Sequence, residues 1–167
     1  MNTHFLRGRL LIDQCRFDLA IEELRKATAL DQDDASNHAL LGLALLRTGR
    51  AQEAVKSAEL ALEKDPNDDY AHWMMALIRL ERNELKAAEI SIRQAIELDS
   101  HSAPNRGLLA RILCEGNRFA EALKVADEGL SIDPTNDLCL TFRARPDGFG
   151  TEGRSRSSRS QTAGGRS

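Results

Sequence analysis

The chain matches itself at an offset of 34 residues, and this period limits what it can fold into more than any other feature. One column reads Ala20, Ala54, Ala88, Ala122, and a second reads Ala27, Ala61, Ala95, Gly129. A third reads Gly8, Gly42, Ala76, Ala110, with Ala144 next in line. A fourth reads Asp31, Asp65, Asp99, Asp133, followed by Gln32, Pro66, Ser100 and Pro134. A fixed period of this length marks a stacked array, in which each unit buries its apolar face only against its neighbours.

Within each unit the apolar residues recur at three- and four-residue steps, as in Leu6 and Leu10 and then Ile21, Leu24 and Thr28. That spacing puts them on one face of a helix; a strand would alternate. Pro66 and Pro134 sit just past such runs, where a residue without an amide donor ends a helix. Breaks also fall mid-unit, at Gly49-Arg50, Asn83-Glu84 and Gly116-Asn117. Each unit is therefore two helices of about 13 residues joined by a tight turn. The small-residue columns mark close backbone approach, where a larger side chain would overpack at a cost of about 1–3 kcal/mol.

Residues 1–136 resemble the tetratricopeptide repeat family, and residues 42–66 carry the resemblance best, with Gly42, the Thr48-Gly49-Arg50 turn, Ala54, Ala61, Asp65 and Pro66. The chain departs from the family at two columns. The aromatic near the start of the first helix is His4, His38, His72 and Arg106 here, and that of the second helix is Leu24, Ala58, Ile92 and Ala126. The resemblance implies an all-α, right-handed superhelical solenoid whose first helices line a concave groove. It divides residues 1–144 into repeats at about 1–34, 35–68, 69–102 and 103–136, with a fifth first-helix begun over 137–144 and cut short before Pro146.

Composition places a boundary near residue 143. Residues 141–167 carry six arginines against Asp147 and Glu152, and five of the 11 glycines. Residues 145–167 are expected to form a disordered tail, since so polar a segment cannot offset its ordering entropy. Gly148, Gly150 and Gly153 spell a GxGxxG string, but neither the strand nor the helix that a phosphate loop needs flanks it. Codons for Pro146 through Glu152, read one base later, permit Leu-Met-Ala-Leu-Gly-Arg-Lys, which would complete the fifth helix. A reading-frame change near residue 145 is one expectation; a fragment of a longer array, regulatory within a larger enzyme, is another.

The residues offer little chemistry. Net charge is −3, which gives no electrostatic basis for nucleic-acid binding, with Arg/Ser contact by the tail as a minor alternative. Cys15, Cys114 and Cys139 have neither metal-ligand nor disulfide spacing. Ser57 and Ser91 have no histidine in helical register, and no P-loop or HExxH occurs. The histidine column suggests a metal ladder at first sight. Repeats about 10 Å apart, however, cannot bring His4, His38 and His72 to one ion, so packing is the better reading. The sequence is read as non-enzymatic, without metal or cofactor. No apolar run approaches the roughly 18 residues of a membrane span, and no secretory signal opens the chain, so the default location is cytoplasmic.

The resemblance also says where a ligand would lie. Carried onto this chain, the groove positions select Phe5, Arg9, Leu40, Leu43, Tyr70, Trp73, Met74, Leu77, Leu108 and Arg111. The chain's one Trp and one Tyr fall there together. Gly107, in the same column as Trp73, is expected to leave a cavity for a ligand side chain, and Arg9 and Arg111 are expected to flank the apolar patch as contacts for a partner carboxylate. The Lys, Asn and Arg donors with which some family members clamp an acidic chaperone tail are missing, so a two-carboxylate clamp is not expected. The function expected is a scaffold that holds a partner peptide through apolar anchors. Self-association through the same patch is the alternative.

Overall fold

In the computed structural model, residues 2–144 are described. The expected truncation and tail after residue 144, and the frame change, lie outside these residues. Among the described residues nine helices occur and no strand. They are α1 (Thr3–Asp13), α2 (Phe17–Leu30), α3 (Ala35–Arg47), α4 (Ala51–Lys64), α5 (Asp69–Glu81), α6 (Leu85–Leu98), α7 (Ala103–Glu115), α8 (Phe119–Ile132) and α9 (Asp137–Ala144).

The repeated columns have direct structural causes. Each inter-repeat aspartate accepts from the backbone N–H two residues on. Asp65 takes that of Asn67 at 2.9 Å, Asp99 that of His101 at 3.0 Å and Asp133 that of Thr135 at 2.9 Å. These side chains build the turn that a helix start needs. The next first-helix is then capped by Asp34, Asp68, Ser102 or Asn136, each accepting from an amide of the opening turn. The second helices have no side-chain cap. Ala20, Ala54, Ala88 and Ala122 are all fully buried where the two helices of a repeat meet.

The helices stack in order, and curvature follows from which ones touch. The first helices pack in sequence, α1 on α3, α3 on α5, α5 on α7 and α7 on α9, whereas successive second helices among the described residues do not approach backbone to backbone and are linked only by long side chains. The first helices therefore form the short inner wall of a bent stack and the second helices the splayed outer wall. This is an all-α helical-repeat solenoid.

Helix α9 closes down on the last repeat because two glycines admit it. A Cβ on Gly107 would come within 2.7 Å of the Leu138 Cβ, and one on Gly129 would collide with the Cys139 Sγ. Gly129 is thus the departure from its alanine column that lets the buried Cys139 side chain in. The cavity expected beside Gly107 is absent, because Leu138 fills that space.

Candidate functional site

The ten groove residues expected from the sequence separate into two groups. Leu40 (8% exposed), Leu43 (8%), Met74 (0%), Leu77 (4%) and Leu108 (2%) are core residues. This corrects their assignment as ligand contacts. They sit in the seams between repeats, and the Met74 Cε lies 3.5 Å from where a Cβ on Gly42 would stand in the preceding repeat. A first helix in a stack must turn one flank to its neighbour, and these positions are on that flank.

The other group keeps surface. Phe5, Tyr70, Trp73 and Arg111 are half-buried, and Arg9 is exposed. Tyr70 and Trp73, three residues apart on α5, stack with ring centroids 5.3 Å apart and planes 23° from parallel. Their inner edges rest on the core. The Trp73 Nε1 is buried and has no acceptor among the described residues. Burial pushes the Tyr70 phenol well above its ordinary value of 10, so it remains a hydrogen-bond donor at neutral pH.

Sequence reasoning missed the charges at the edge of this pair. The Arg47 guanidinium and the Asp13 carboxylate both act on the Tyr70 hydroxyl. They belong to one column, Asp13, Arg47, Glu81 and Glu115, which lies four residues past the arginine-bearing groove position and could have been read from the repeat. Arg9 and Arg47 make no ion pair among the described residues. Arg111, expected to be available to a ligand, is held by Glu115 on its own helix at 3.0 Å.

The residues set aside as structural have assigned partners. The His38 and His72 rings bond the carbonyls of Gln32 and Pro66, at 3.0 and 2.9 Å, each tying a first helix to the turn before it. His4 instead bonds Glu23 at 2.8 Å. Ser91 accepts from Arg79 at 2.6 Å. Cys114 is half-buried and Cys139 buried, and burial raises both thiols, the reverse of activation. No group of three metal-ligating side chains converges among the described residues. No helix among them is long and apolar enough to cross a membrane.

Comparison with known proteins agrees with this geometry. Residues 5–69 match the family model described as tetratricopeptide repeat. Comparison with curated proteins found no match. Among solved structures, the thermophilic TPR protein TTC0263 of Thermus thermophilus superposes with a TM-score of 0.75 at 20% identity, covering 86% of this chain and 77% of that one. The pilF protein of Pseudomonas aeruginosa gives 0.76 at 16% identity, over 86% and 65% of the two chains. YrrB, described as a TPR protein with an unusual peptide-binding site, gives 0.62 at 19%, over 86% and 74%. Residues 5–69 thus carry a tetratricopeptide repeat match, and the fold of the chain is that of the tetratricopeptide repeat structures it superposes on.

Proposed function

We propose that the protein is a non-enzymatic scaffold that holds a segment of a partner protein on its inner wall, with the Tyr70–Trp73 pair as the anchor. The carrying observation is that pair: two stacked aromatic rings, part exposed, at the middle of the inner wall. Aromatic side chains carry much apolar area with few rotatable bonds, which is why they dominate binding hot spots. A largely preformed wall also lowers the ordering entropy that the complex must overcome. The unpaired Arg47 stands beside the anchor, and the unpaired Arg9 lies further along the inner wall, as contacts for a partner's acceptors. YrrB, with the same fold, is described as having a peptide-binding site.

The test compares captured partners for the wild type, Trp73→Ala and an Arg9→Glu/Arg47→Glu double variant. Truncating a hot-spot aromatic typically costs about 2–4 kcal/mol, so Trp73→Ala should release the partner. The double variant alters exposed side chains, so it should weaken capture with circular dichroism unchanged. Undiminished capture by both variants refutes the reading.

Self-association has a separate observation in its favour. Leu6 and Leu10 are 43% and 56% exposed, whereas Leu40, Met74 and Leu108 in the first column and Ala44, Ile78 and Ile112 in the second are all buried. Sedimentation across a concentration series tests it: a monomer throughout removes this reading.

A further inference from the structure

The outer wall is not equally closed at its three seams. Between α2 and α4, Arg25 bridges to Glu53 at 3.1 Å. In the next repeat, Arg79 of α5 lies against α6 at the position one period before Leu113, donating to the Ser91 Oγ at 2.6 Å and to the Ala87 carbonyl at 3.3 Å. At the last seam the residues one period on from Arg79 and Ser91 are Leu113 and Val125, too short and apolar to span it. The counterparts of Arg25 and Glu53 are Arg93 and Glu121, but they do not bridge. Arg93 is bonded to Glu89 at 2.7 Å and Glu121 to Arg118 at 2.6 Å. Arg118 crosses to Glu89 at 2.6 Å, but at the start of α8, which leaves the rest of the seam open.

An open cleft of about 380 Å³ results between α6, α7 and α8. Its apolar floor is Ile96, Leu109, Leu113 and Val125. At its edge stands Arg106, where the histidine column changes residue. Its side chain is only 15% exposed, and its nearest carboxylate, Glu128, lies 4.0 Å away and is itself half exposed. Among the described residues its side chain donates one hydrogen bond, to the Ser102 carbonyl at 3.4 Å. The remaining charges of the rim, Lys124 and Glu97, are exposed and solvated. Arg106 alone combines burial with weak pairing, the condition under which an added carboxylate gains most. The lining residues recur at three- and four-residue steps over two turns of α7 and α8, which sets the reach of an occupant.

We propose that this cleft is a second docking site, separate from the inner wall, for a short segment of a partner protein that sets an apolar side chain on the Leu109–Leu113–Val125 floor and a neighbouring carboxylate on the Arg106 guanidinium. Its occupant is an acidic–apolar segment about two helical turns long. The site differs from the inner-wall anchor in face, residues and charge requirement, so either can fail without the other.

The test titrates the full, isotope-labelled chain with a blocked leucine–glutamate–leucine peptide, followed by NMR. Shifts should be confined to residues around Arg106, Leu113 and Val125. The glutamine version of the peptide should bind about tenfold more weakly, the loss expected when a charge-assisted bond becomes a neutral one. A Leu113→Arg/Val125→Ser variant rebuilds the Arg79–Ser91 plug and should abolish the shifts while keeping the helical circular dichroism. Arg106→His restores the residue of the earlier repeats. It should erase the preference for glutamate over glutamine, and it decides the question alone if the plugged variant does not fold. Shifts absent from the cleft, clustered instead around Trp73, or indifferent to the glutamate-to-glutamine exchange would overturn the proposal.

Discussion

The turn inside the first repeat holds a residue in the wrong place for its chemistry. The four intra-repeat turns put one residue each in the left-handed region: Cys15 at φ 56°, Gly49 at 78°, Asn83 at 60° and Asn117 at 60°. The backbone requires it there. The Cys15 amide donates to Ile12 and the Arg16 amide to Leu11, both at 2.8 Å, the paired bonds of a left-handed helix terminus. An ordinary L-residue in that region costs about 1–2 kcal/mol, whereas glycine adopts it freely and asparagine at reduced cost. Cys15 is exposed and loses little packing when replaced. Cys15→Asn should therefore stabilise the chain by about 0.5–1 kcal/mol. Cys15→Gly should gain somewhat less, because glycine adds freedom to the unfolded state. At this length 1 kcal/mol moves Tm by about 3 °C. Urea denaturation gives the free energy, and hydrogen exchange at the α1–α2 amides reports whether the gain is local to that repeat. The reverse change, Asn117→Cys, should cost a similar amount. If Cys15→Asn is neutral or destabilising while Asn117→Cys is also harmless, the turn is not under the strain inferred from its dihedral.

Three further outcomes follow from the packing. Gly129→Ala drives a methyl into the Cys139 sulfur and should cost about 1–3 kcal/mol by urea denaturation, with Cys139→Ala in the same chain recovering most of it. Arg79→Leu removes two hydrogen bonds between α5 and α6 and should cost about 1–2 kcal/mol, measured the same way, with no change in helix content. Glu23, which accepts from Lys26 at 2.7 Å and bonds His4 at 2.8 Å, is held down from 4.5 to about 2, chiefly by the Lys26 hydrogen bond and then by that to His4. Its folded value lies below its unfolded one, so its contribution is present above pH 4.5 and is lost as pH falls towards 2. Urea midpoints across that range should fall less steeply for Glu23→Gln than for the wild type, and identical slopes would exclude Glu23 from the acid response.

The period made the array legible because every column in it has a local cause. The aspartate column is a side chain closing its own turn, the alanine columns are backbone contacts, and the mid-unit breaks are the left-handed residues. None of these needs knowledge of a distant part of the chain. The groove was harder to read, because one flank of a first helix serves both the inner wall and the seam to the neighbouring repeat. Leu40 and Met74 carry the same residue types whether they meet a ligand or a neighbour, and only the stack decides for the neighbour. The empty space expected at Gly107 failed for a similar reason. It depended on how far α9 would descend, which Gly129 fixes from another helix.

The departures from the columns prove more informative about function than the columns themselves. Where a column is kept, as in Ala20, Ala54, Ala88 and Ala122, the residue serves the stack and is the same in every repeat. Where it breaks, the stack has been relieved of a task at that place. Trp73 stands where the other repeats have Phe5, Ala39 and Gly107, and its ring is left part exposed on the inner wall. Arg106 breaks the histidine column, while Leu113 keeps the leucine of Leu11 and Leu45 where Arg79 alone supplies a plug, and an apolar floor is left beside an under-paired cation. A repeat array stabilises itself by sameness, so a departure that weakens closure persists only at a cost in stability. The inner aromatic pair and the outer cleft are the two places where this chain carries that cost, and they lie on opposite walls of neighbouring repeats.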